Sequence, residues 1–130
     1  MVRIIGVASH PCGEIVTEIP AEVCTALQGL RSLGGDALLK QMVAVFVEHS
    51  RDRMQALEAA VAAGDLAGAA SAAHTLKGSA RQLGLIAMGD ACVAVEQSSK
   101  QGDAAATQLH TAAVHTQYTA AVEWLTSATA

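Results

Sequence analysis

A chain of 130 residues is long enough to close one hydrophobic core without disulfides or a metal, so one domain is expected. It is 52% apolar but only 2% aromatic, and both prolines lie at or before position 20, which favours helices over a β-rich fold. A formal net charge of -4, with no run of Lys or Arg, provides no field for a phosphate backbone and argues against nucleic acid as a partner.

The first stretch, MVRIIGVASHPCGEIV, is mildly apolar but broken by Gly6, Ser9, His10 and Pro11, and nothing later approaches 18 uninterrupted apolar residues. Neither a signal peptide nor a membrane span is read there, and no membrane contact is expected. Cys12, Cys24 and Cys92 are odd in number and widely spaced, without a CxxC pair, so neither a disulfide framework nor a zinc site is suggested. A reducing cytoplasm is the plain expectation. Residues 1–19 show no clear period and are read as an N-terminal arm or linker, with residues 20–130 forming the domain.

From Pro20 to about Leu33 the pattern predicts a short helix, Pro in its first turn and Val23, Leu27 and Leu30 on one side, packed across one end of the domain. Three Gly-Asp junctions follow, Gly35-Asp36, Gly64-Asp65 and Gly102-Asp103. In each, Gly suits the left-handed position after a helix and Asp the cap of the next. With Gly84 as a fourth mark, helices are expected over about 36–63, 65–83, 85–101 and 103–127. Apolar residues recur at three- and four-residue steps: Leu39, Val43, Phe46, Met54, Leu57 and Val61; Met88, Cys92 and Val95; Val114, Tyr118, Val122 and Leu125. Short links force neighbours to run antiparallel, giving an all-α, up-down four-helix bundle with one extra N-terminal helix. Four helices can close a core alone, so a monomer is expected.

The second bundle helix, DLAGAASAAHTLKGSARQLG, carries the chemistry. On a wheel of about 100° per residue, Ala69, Ala72, Leu76, Ser79, Ala80 and Leu83 fall on the core side. Ala67, Ala70, Ser71, His74, Lys77, Gly78 and Arg81 lie within about 60° of His74, on the solvent side. Gly78 stands mid-helix, where it costs about 1 kcal/mol relative to Ala. Lys77 and Arg81 are the only charged side chains between residues 66 and 89.

Each feature singly has a plain structural explanation: a solvated His, a helix-crossing Gly, a surface Lys. Together they describe a site for a covalently held phosphoryl group. Imidazole, with a reference pKa near 6.5, is substantially neutral near pH 7 and offers a ring nitrogen as nucleophile. Phosphoryl transfer spreads charge over the equatorial oxygens, so a positioned cation helps. Lys77, at i+3 from His74, is the leading candidate and Arg81 the second. Gly78 would let another protein's active site close over the ring.

The string AAHTLKGSARQLGL, Ala72 to Leu85, closely resembles the signature of histidine-containing phosphotransfer (HPt) domains, with Lys three and Gly four residues after the His. Leu33-Gly34-Gly35-Asp36, Phe46, the Gly64-Asp65 turn and Cys92 through Glu96 resemble the family at similar spacing, so the likeness spans about residues 20–125. It implies that His74 is the phosphorylated residue, that Lys77 assists, and that Gly78 and Ser79 belong to a docking surface. Glu96, at a position polar in the family, would hydrogen-bond near the ring. The implied function is a phosphoryl carrier of a two-component phosphorelay, not an autonomous kinase, exchanging with the aspartate of a receiver domain. That receiver would supply magnesium, with no cofactor in this chain. The resemblance leaves open a free-standing protein or the cytoplasmic tail of a hybrid sensor kinase.

Alternatives stay open at this point. A sensor-kinase dimerisation helix normally has an acid directly after its His, whereas Thr75 follows here. The phosphoacceptor domain of a chemotaxis-type kinase shares the bundle and much of the motif. An adaptor would use the smooth face around His74 without carrying phosphate. A metal site is the weakest option, because His49, His74, His110 and His115 fall on three helices.

Overall fold

Three helix ends are built alike. At Gly64, Gly84 and Gly102 the backbone turns left-handed, with φ of 75°, 73° and 72°. The next amide reaches back five residues, Asp65 to the Ala60 carbonyl at 2.8 Å, Leu85 to Ala80 at 2.9 Å and Asp103 to Ser98 at 3.0 Å. These bonds satisfy carbonyls that a helix end would otherwise leave without donors. The following helix then starts at once, Asp65 accepting from the Gly68 amide at 2.9 Å and Asp103 from the Ala106 amide at 3.0 Å.

A computed structural model describes residues 19–129, all of whose regular elements are helices: α1 (Ala21–Ala62), α2 (Leu66–Gln82), α3 (Ile86–Lys100) and α4 (Ala104–Ala128). The predicted arm, apart from Ile19, lies outside the described residues. Consecutive helices pack side by side and α4 returns against α1, closing an antiparallel four-helix bundle. The expected stripes meet in one core containing Leu39, Val43, Phe46, Leu57, Leu76, Met88, Val95, Val114 and Leu125. No helix among the described residues is long and apolar enough to cross a membrane.

The predicted short N-terminal helix is present but not separate. It continues into the first bundle helix through a kink at Gly34 (φ -144°, ψ 15°) and Gly35 (φ 71°, ψ -167°). The Gly35-Asp36 junction is therefore a bend, not a stop. Asp36 pairs back across it with Arg31, Oδ1 to Nε at 2.7 Å. The arm before the kink buries Val23, Cys24 and Leu27 and lays the backbone of Glu22 and Val23 against Gly84. Ile19, assigned to the N-terminal arm by its lack of period, is buried with the core.

The cysteine expectation needs one correction. Cys24 is disulfide-bonded, a bridge that the odd count and wide spacing did not suggest. Cys92 is free and lies in the core, where burial pushes its thiol up to about 12. Such a thiol stays protonated and unreactive at neutral pH.

Candidate functional site

Helix α2 turns its alanines inward. Ala69, Ala72, Ala73, Leu76 and Ala80 are buried, and these small side chains let α2 lie close against its neighbours. His74 consequently stands on the outer side, its side chain 69% exposed. Ser71, Gly78 and Arg81 share that exposed side. A Cβ built on Gly78 meets nothing within 4 Å, so this glycine does not serve a close helix crossing. Arg81 lays its aliphatic stem over Gly89 of α3, the nearest approach to a Cβ there being 3.3 Å from its Cγ.

Lys77 is less free than the wheel suggested. Its side chain is 20% exposed, and Nζ lies 2.8 Å from Oε1 of Glu96 on α3. The second oxygen, Oε2, lies 3.2 Å from His74 Nδ1. One carboxylate therefore joins the imidazole and the ammonium, although 22 residues separate it from the histidine. Burial alone would raise the Glu96 carboxyl, but hydrogen bonds from Lys77 and His74, together with the lysine charge, outweigh it and hold the group below its usual range. Glu96 is thus an anion at neutral pH.

A carboxylate only accepts, so Nδ1 carries the proton in this pair and the neutral ring presents Nε2 as its lone-pair nitrogen. Nε2 has no protein partner among the described residues. The hydrogen bond near the ring that the resemblance implied for Glu96 is present, and it is joined by an ion pair to Lys77 that the helix wheel did not suggest. The ring is oriented by an acid, and the nearer cation is already paired. The residues of α2 and α3 by themselves do not show the joint contact with Lys77; it depends on how the two helices dock.

Ser79, placed on the core side by the wheel, is half-buried at the lip between α1 and α2. It lines a shallow hollow with Met42, Val45, Phe46, His49, Gln82 and Leu83. A second hollow places Ser79 and Thr75 beside His49, Asp52 and Arg53. Sequence reasoning assigned no role to this flank of α1. The available signal was Val45, an apolar residue beside the core stripe that remains 43% exposed. Among the described residues no group of three or more His, Cys, Asp or Glu side chains is placed to hold a metal ion.

The family model for the Hpt domain matches residues 41–124, well over half of the chain and including the whole His74–Glu96 constellation. The chain belongs to the Hpt domain family. This Hpt domain also superposes on the crystal structure of histidine-containing phosphotransfer protein B (HptB) from Pseudomonas aeruginosa PAO1 with a TM-score of 0.73, at 22% identity, covering 78% of this chain and 88% of that one. At that identity the likeness is one of fold. No curated protein matches the chain.

Proposed function

We propose that this Hpt domain carries a phosphoryl group on His74 Nε2 and exchanges it with the aspartate of a receiver domain in a phosphorelay. The observation that carries this reading is the His74–Glu96 contact, which fixes one ring nitrogen and leaves the other as a nucleophile on an exposed ring. Family membership supports the carrier role.

The chemistry asks little of this chain. The Nε2 lone pair attacks the phosphorus of the receiver's aspartyl phosphate, the P–O bond breaks, and the carboxylate leaves with the electron pair. The ring becomes cationic, its Nδ1 proton facing Glu96. The receiver would supply magnesium and the acceptor carboxylate, and Lys77 supplies a positive charge one turn along α2 from His74. The hollow around Val45 and Phe46 lies between α1 and the helix that carries His74, and would seat part of the receiver.

Incubation with a phosphorylated receiver tests the proposal. Label should move to this chain in an acid-labile, alkali-stable bond, whereas an adaptor would bind the receiver and acquire none. Gly78→Gln should slow the exchange at least about tenfold by crowding the ring. It should also raise stability by up to about 1 kcal/mol, because helix propensity improves where nothing else changes. Unchanged rates would remove the docking role of this glycine. Lys77→Ala should slow transfer more than it weakens receiver binding, and should cost roughly 1–3 kcal/mol by leaving a mostly buried carboxylate without its cation. Thermal melts and single-turnover kinetics separate the two effects.

A further inference from the structure

Glu96 is placed to act after His74 has been phosphorylated as well as before. Its side chain is only 11% exposed, so the carboxylate is held in a sheltered position beside an exposed ring. Lys77 holds its other oxygen at 2.8 Å and fixes the carboxylate's orientation. Among the described residues the charged groups bearing on that carboxyl are Lys77 and His74 of α2, with none from α4. Glu96, Lys77 and Arg81 all bear on the Cys92 thiol of α3, which stays neutral. On the other flank of α2, His49, Asp52 and Arg53 of α1 lie beside Thr75 and Ser79.

The fate of a phosphohistidine depends on its second nitrogen. With Nδ1 protonated, the N–P bond breaks to release neutral imidazole, a good leaving group. With Nδ1 deprotonated, the same step must expel imidazolate, and the phosphoramidate persists. We infer that Glu96 retains the Nδ1 proton on phosphorylated His74, keeping the phosphoryl group in its readily surrendered form, so that this chain is a short-lived carrier poised to give rather than to store. The inference rests on His74 being the phosphoacceptor. Glu96 is a positioning residue here, acting on phosphorus only through the ring.

In the forward step the acceptor carboxylate attacks phosphorus, the N–P bond breaks, and its electron pair returns to Nε2. The ring is left neutral with its proton still at Nδ1, so no outside acid is needed. Lys77 adds to the effect, because the phosphoryl oxygens must compete with Glu96 for its ammonium.

The test loads wild type, Glu96→Gln and His74→Gln with phosphoramidate and follows the N–P phosphorus resonance without any receiver, from pH 5.5 to 9. Near pH 5.5, where the ring is protonated in either background, wild type and Glu96→Gln should decay alike. At pH 8 wild type should decay about tenfold faster, its profile displaced by about one pH unit towards alkali. Superimposable profiles, or a slower wild type, overturn the inference while leaving the carrier assignment intact. Absence of the resonance from wild type, or its presence at undiminished intensity in His74→Gln, overturns the carrier assignment and this inference with it, a minor signal being that of other histidines such as the exposed His49 and His115. Should Glu96→Gln lose its helical signal, ring nitrogen shifts of phosphorylated wild type decide the matter, a protonated Nδ1 at pH 8 supporting the inference and a deprotonated one overturning it.

Discussion

Replacing His74 with Gln should abolish phosphoryl transfer to this chain, by a factor on the order of a hundred or more, with its helical content unchanged. The side chain is mostly exposed and fills no core space, so its loss opens no cavity. Gln is a better helix former than His, and its amide can still donate to Glu96. What disappears is the one nucleophilic ring nitrogen that the site offers. The measurement is transfer of label from a phosphorylated receiver, with circular dichroism and receiver binding as controls. Binding should stay within a few-fold of wild type. Label retained on the Gln variant would place the phosphoryl group elsewhere and end the assignment.

Gly84→Ala should be the most destabilising small substitution in the α2–α3 turn. Its φ of 73° lies in the left-handed region, which costs a residue with a Cβ about 1–2 kcal/mol. A Cβ there would also collide with the carbonyl of Glu22 and the amide of Val23, backbone atoms that cannot rotate away. Together these should cost roughly 2–4 kcal/mol and lower Tm by on the order of 10 °C. The affected contact holds the arm of α1 before its kink against the end of the bundle. Gly102→Ala is the matched control. It has φ of 72° but nothing within 4 Å, so it should lose only the conformational part, about 1–2 kcal/mol. Equal losses at the two positions would show that the α1 arm does not press on Gly84.

Neither effect touches the other: the turn governs stability, and His74 governs chemistry. The separation follows from the architecture. An alanine-lined α2 puts its bulk into the core and leaves its outer side to a ring, a glycine and two cations, so the reactive group makes little contribution to folding.

What the amino-acid sequence determined by itself was local. Left-handed glycines followed by capping aspartates at 64–65 and 102–103 specify helix ends through bonds spanning three to five residues. The three- and four-residue apolar steps specify which side of each helix is buried, and hence that His74, Gly78 and Arg81 face outward. Asp36 shows where such signals stop, since the same dipeptide in a longer helical run produced a bend and an Arg31 ion pair. Only the tertiary structure decided that Glu96 meets both His74 and Lys77, that Ser79 opens onto the α1 groove, and that Gly84 supports the α1 arm. Hydrogen bonds across 22 residues depend on how two helices are rotated and offset against each other, a choice made by the packing of Leu76, Cys92, Val95 and their neighbours in the core. The nucleophile was therefore legible in one helix, whereas Glu96 was reached only through the family resemblance, and its simultaneous hold on Lys77 came only from the packed helices.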